Sequence, residues 1–121
     1  MEIPIERRRA DDGTATVTVR GEIDFSNADE VTHGIRDAVT DWSPPTVYVD
    51  LADATFIDST GLGAMIEGYR TAAERGSGFV VVNPNGGFRR VLAVTGLADL
   101  FGLGAESEDA EERDAAPDLA I

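Results

Sequence analysis

Three observations in this sequence predict a single α/β domain built on a mixed β-sheet. Two short runs of alternating apolar and polar residues flank a turn at Asp12-Gly13, the pattern of an antiparallel hairpin. Downstream, apolar runs at 47–51 and 79–82 alternate with stretches whose apolar residues recur every three or four positions, the rhythm of helices connecting parallel strands. At 121 residues the chain has the length of one such domain, and it contains no internal repeat.

The elements follow in order. Ile3 and Ile5 alternate with polar residues, Ala10-Asp11-Asp12-Gly13 supplies the turn, and Ala15, Val17 and Val19 share one face of a second strand. Ser26 or Asn27 is placed to cap a first helix, Asp29 and Glu30 suit its positive N-terminus, and Val31, Ile35, Ala38 and Val39 form its apolar face. Pro44-Pro45 ends it. Val47, Val49 and Leu51 make a third strand, ending in the stretch 53–58. The strongest helix spans about 59–75, with Leu62, Ile66, Tyr69 and Ala73 on the expected buried face. Gly76-Ser77-Gly78 stops it, and the unbroken apolar run at 79–82 predicts a strand covered on both faces. After a loop at 83–87, Phe88, Val91 and Leu92 open a third helix that Gly96 terminates. Leu97, Leu100, Phe101 and Leu103 then predict a short helix or an edge strand. The domain is placed at 1–104. Residues 105–121 hold seven acidic side chains against one arginine and are expected to form a disordered tail.

Composition excludes several function classes. The chain carries 23 acidic and 10 basic residues, a net charge of −13, and every basic residue is arginine. Such a field repels nucleic acid and anionic membranes, and the short Arg7–Arg9 cluster does not overcome it. With no cysteine and one histidine (His33), neither a thiolate nor a histidine-rich metal site is available. No metal or cofactor is expected. There is no apolar run of about 20 residues and no apolar segment after the N-terminal charges, which predicts a soluble, cytoplasmic protein. Without a large apolar patch it is expected to be a monomer.

One stretch stands out: Phe56-Ile57-Asp58-Ser59-Thr60-Gly61-Leu62-Gly63 places a hydroxyl where a loop becomes a helix, beside a carboxylate and ahead of two glycines. Each glycine weakens the helix by about 1 kcal/mol relative to alanine, so a close approach to the backbone is expected there. Enzyme motifs do not fit. The position two before Ser59 is Ile57, not the glycine of a nucleophile elbow; there is no lysine for a P-loop; and Ile66 stands where a dinucleotide fingerprint counted from Gly61 needs glycine. Catalytic residues are therefore none. Spacing alone leaves two readings of Ser59 and Asp58 open: helix capping, or a phosphate-accepting site at the positive end of the helix. Trp42, Tyr48 and Tyr69 read as packing residues, and Arg89 and Arg90 as a solvated helix face.

Asp58-Ser59-Thr60-Gly61-Leu62-Gly63 resembles the signature of the STAS domain of bacterial anti-anti-sigma factors (anti-sigma factor antagonists). Two further segments agree: Gly21-Glu22-Ile23-Asp24-Phe25-Ser26-Asn27-Ala28 before the first helix, and Arg89-Arg90-Val91-Leu92-Ala93-Val94-Thr95-Gly96-Leu97 with Leu100-Phe101. The resemblance covers about 3–103. Thr60 replaces a second serine common in the motif, and Met65, Gly68 and Gly86-Gly87 depart from the pattern. The resemblance implies a binding module rather than an enzyme. Its unmodified form would bind an anti-sigma factor with serine kinase activity and the histidine-kinase-like ATPase fold, freeing a sigma factor. Phosphorylation of Ser59 would end binding, and a serine phosphatase would restore it. The implied partner-binding residues are Asp24, Asp58, Ser59, Thr60, Gly61, Leu62 and Gly63. The alternative within the same fold is an adaptor in another assembly, such as a stress-signalling scaffold or a lipid-transport complex. A nucleotide-binding protein using the Gly61–Gly63 turn is a third, more distant reading.

Overall fold

The computed structural model describes residues 5–102. Ile3, Leu103 and the acidic stretch 105–121, to which the sequence assigned a strand residue, an apolar patch residue and a disordered tail, lie outside the described residues. Chain order is β1 (Ile5–Arg9), β2 (Ala15–Val19), β3 (Gly21–Ile23), α1 (Ala28–Trp42), β4 (Thr46–Asp50), β5 (Ala54–Ile57), α2 (Ser59–Glu74), β6 (Gly78–Val82), α3 (Gly86–Thr95) and α4 (Leu97–Leu100). A four-stranded sheet runs β1-β2-β4-β6: β1 and β2 are antiparallel, and β2, β4 and β6 are parallel. This is the expected mixed sheet. The hairpin turn is held by Asp12, whose Oδ1 accepts from the Thr14 amide at 2.9 Å and the Thr14 hydroxyl at 2.7 Å. Gly13 supplies the φ of 92° that a side chain resists.

Helices α1 and α2 pack on each other and on one face of this sheet. Ala15, Val17, Val19, Val47, Val49, Phe79 and Val81 point into that layer and are buried. Each fully buried valine contributes about 1.5–3 kcal/mol relative to exposure. Thr16, Thr18, Tyr48, Asp50, Val80 and Val82 occupy the other face and remain half-buried. The 79–82 run is therefore not covered on both faces. Phe101 closes the edge beyond this strand: the Val81 amide donates to the Phe101 carbonyl at 2.9 Å, and the Phe79 and Phe101 rings lie 5.4 Å apart. The segment after Gly96 is the short helix α4, so of the two forms expected there the helix is the one adopted.

The α2 face needs correction. Leu62, Ile66 and Tyr69 are only partly buried against the core and Ala73 is exposed, whereas Gly61, Ala64, Met65, Gly68 and Ala72 are buried. The reason is the close crossing with α1. A Cβ at Gly68 would stand 2.6 Å from Ile35 Cδ1, so small residues set the approach that hydrophobicity alone assigned to large ones. The α1 face of Val31, Ile35, Ala38 and Val39 is as expected. Ser43 ends α1 in the left-handed conformation ahead of Pro44-Pro45.

The other difference shapes the site. The stretch 53–58 holds a strand absent from the expected order: β5 pairs in parallel with β3 in a separate two-stranded ribbon, Ile23 opposite Ile57. The Gly21 amide donates to the Asp53 carbonyl at 2.9 Å at one end, and the Asp58 amide to the Ile23 carbonyl at 3.1 Å at the other.

Candidate functional site

The β3–β5 ribbon ends where the sequence placed its chemistry. Because Ile23 and Ile57 are in register, the next residue of each strand, Asp24 and Asp58, leaves the ribbon side by side. Adjacent strands lie about 4.8 Å apart, so two acidic residues separated by 34 positions become neighbours. Ser59 follows at the first position of α2.

The Asp58 backbone is extended, and its carboxylate Oδ1 accepts from the Gly61 amide at 2.8 Å. It is the N-cap of α2, satisfying one of the amides that a helix leaves unpaired at its start. Of the two capping candidates it is thus Asp58, not Ser59, that caps. Relieved of that task, the Ser59 hydroxyl is exposed and hydrogen-bonds to no described residue. Thr60 is exposed beside it, and Leu62 and Gly63 are half-buried one turn on.

Gly61 and Gly63 divide the explanation for the two glycines. A Cβ on Gly61 would lie 2.6 Å from the Ile23 carbonyl oxygen and 2.8 Å from both Ile23 Cγ2 and Ile57 Cγ1. The close approach expected from the sequence is therefore internal: α2 rests directly on the ribbon, and Gly61 itself is buried. A Cβ on Gly63 meets nothing within 4 Å.

The loop carrying Asp24 is tied down on both sides. Asp24 Oδ1 accepts from the Ser26 hydroxyl at 2.6 Å and the Ser26 amide at 3.0 Å. The hydroxyl first, then the amide, hold the Asp24 carboxyl below its ordinary 3.8, so it stays ionised. Asn27 is the residue at the N-cap of α1, but its side chain does not cap the helix. It turns back instead: Oδ1 accepts from the Asp24 amide at 2.9 Å, and Nδ2 donates to the Glu22 carbonyl at 2.6 Å. Asn27 thus fixes the position of Asp24. The sequence offered it only as a capping residue, since an asparagine serves either purpose.

Two aromatic residues border this acidic corner without being buried. Phe25, next to Asp24, is 80% exposed, and Phe56, three residues before Ser59, is 52% exposed. The sequence singled out neither as a surface residue. The available signal was the placement of Phe25 between Asp24 and Ser26 in a polar loop. His33 is exposed on α1, and Arg89 and Arg90 are exposed on α3. Among the described residues no three potential metal ligands cluster, and no helix is long and apolar enough to cross a membrane.

Among the proteins that the chain is similar to are several anti-sigma factor antagonists. The STAS domain profile matches residues 7–110, past the expected boundary at 104. An anti-sigma-B factor antagonist of Listeria monocytogenes is 28% identical over 106 residues, covering 84% of this chain and 88% of the relative. The crystal structure of an anti-sigma factor antagonist from Mycobacterium paratuberculosis superposes with a TM-score of 0.72 at 30% identity, over 90% of this chain and 93% of that one. Bacillus SpoIIAA in its phosphorylated form shares the fold, with a TM-score of 0.64 at 19% identity over 88% and 97% of the two chains. Matched by that family's model over residues 7–110 of 121, this chain belongs to the STAS domain family.

Proposed function

We propose that this protein is an anti-sigma factor antagonist operated by phosphate at Ser59. In the unmodified state it binds an anti-sigma factor with serine kinase activity and the histidine-kinase-like ATPase fold, and so frees a sigma factor. Phosphorylation by that partner ends the association, and a serine phosphatase restores it. The observation that carries this reading is the Ser59 hydroxyl, exposed at the first turn of α2 and without a hydrogen-bond partner among the described residues, while Asp58 performs the capping. The names of the similar proteins support the general role.

The physical argument concerns where the added charge acts. Phosphate on Ser59 brings about −1.5 to −2 charges at neutral pH. The helix terminus offsets this by about 0.3–1 kcal/mol, so the fold changes little. A partner surface accommodating Asp24, Asp58 and a neutral serine meets a different field. One additional like-charge contact near 4 Å costs on the order of 4 kcal/mol at an effective dielectric constant of about 20. That corresponds to roughly a thousand-fold in affinity.

Ser59→Asp is expected to lose binding to the anti-sigma factor, and Ser59→Ala to bind while accepting no phosphate. Calorimetric titration of both variants, with mass spectrometry after incubation with the kinase and ATP, tests this. Strong binding by Ser59→Asp refutes the switch. A partner bound regardless of residue 59, and never phosphorylating it, favours the adaptor role instead.

A further inference from the structure

Beside Ser59 lies a surface feature that the phosphate switch does not use. A pocket of about 190 Å³ opens between β5 and α3, lined chiefly by Phe56, Ile57, Asn85, Gly87, Phe88 and Val91. Asn85 fixes its shape: Oδ1 accepts from the Phe88 amide at 2.9 Å as the α3 cap, while Nδ2 reaches the Ala54 carbonyl on β5 at 3.5 Å. The two walls are thus joined before anything binds. The volume falls below the roughly 300–1,000 Å³ of sites for nucleotides and other small ligands, and suits one apolar side chain.

The rims differ in charge. On the β5 side, Ile57 runs directly into Asp58 and Ser59, with Asp24 alongside. On the α3 side Arg90 stands one turn from Gly87 and one turn from Val94, exposed, with no described ion pair. Val94, one helical turn beyond the lining residue Val91, is 80% exposed. A surface with an apolar socket and a basic edge fits a protein segment that carries an acidic residue beside its apolar one.

Resting on the function proposed above, we infer that this groove is the anchor site for the anti-sigma factor. It takes one large apolar side chain from a segment that carries an acidic residue toward Arg90. The anchor and the switch are then adjacent parts of one interface: the socket supplies affinity and Ser59 decides whether the approach is permitted. Buried apolar anchors surrounded by polar rims carry most of the energy in such contacts.

The test uses the full chain and the ATPase-fold anti-sigma factor of the same genome that the wild-type chain binds most tightly, purified. Wild type, Phe56→Ala, Arg90→Glu and Ser59→Asp are titrated calorimetrically, with circular dichroism confirming fold. Phe56→Ala is expected to weaken binding about 30-fold, equivalent to about 2 kcal/mol, and Arg90→Glu about tenfold with a reduced salt dependence. Should Phe56→Ala not fold, hydrogen exchange on the wild type decides: protection of the 86–91 amides in the complex supports the groove, and unchanged exchange overturns it. Wild-type affinity in both groove variants, with binding lost in Ser59→Asp, overturns the groove and leaves the switch standing. Absence of wild-type binding to every ATPase-fold anti-sigma factor of that genome overturns both.

Discussion

Gly61→Ala makes the dependence of the site on the ribbon measurable, with Gly63→Ala as its internal reference. The new methyl at 61 would sit 2.6 Å from the Ile23 carbonyl oxygen and 2.8 Å from two side-chain carbons, inside any tolerated contact distance. One of those atoms is backbone, so relief requires the ribbon to move away from α2. Overpacking of this kind costs about 1–3 kcal/mol, and more where backbone must shift. Replacing a helical glycine by alanine returns up to about 1 kcal/mol. The net expectation is a loss of about 2 kcal/mol, or roughly 6–10 °C in Tm for a domain of this size. At 63 the methyl meets nothing within 4 Å, so only the propensity gain remains and Tm rises by a few degrees. Thermal unfolding by circular dichroism reads both. Phosphate incorporation reads the site: Gly61→Ala, which displaces Ile23 and with it Asp24, is expected to slow it, and Gly63→Ala to leave the fold undisturbed. A Gly61→Ala protein melting at or above the wild-type temperature refutes the argument.

Two further expectations follow from the same geometry. Asp58→Asn keeps a side-chain oxygen for the Gly61 amide, so Tm should stay within about 1 kcal/mol equivalent of wild type while phosphorylation or docking falls; normal kinetics and affinity in this variant refute a role for the charge. Glu6, Asp12 and Asp24 all have carboxyl groups held below their ordinary values, Glu6 first by its hydrogen bond to Arg20, Asp12 by the Thr14 amide, and Asp24 by the Ser26 hydroxyl. The folded protein therefore binds fewer protons than the unfolded chain in this range. Their contribution is complete above the ordinary 3.8–4.5 and is lost as pH falls through the lowered values, so urea midpoints should hold at pH 6–7 and drop below about pH 4.

What the sequence disclosed, and what it hid, follows from how far each contact reaches along the chain. The β1–β2 hairpin, α1 and the termination of α3 at Gly96 rest on local patterns, and each was legible. The β3–β5 ribbon was not. Gly21–Ile23 is three residues long, Ala54–Ile57 places Thr55 and Phe56 exposed in succession, and each strand exists because the other pairs with it some 33 residues away. Non-local pairing of short strands leaves no periodicity to read. The buried face of α2 was misread for a different reason: Gly61 and Gly68 are interior because other atoms occupy the space a Cβ would need. At the site, the juxtaposition of Asp24 and Asp58 came only from resemblance, and the work of Asn27 in holding Asp24 came from neither.

The ribbon hydrogen-bonds to itself rather than to the four-stranded sheet. Its outward residues Glu22, Thr55 and Phe56 can therefore vary without entering the packed interior, whereas Ile23, Ala54 and Ile57 moor the same ribbon to the core, so one short element is at once surface and foundation.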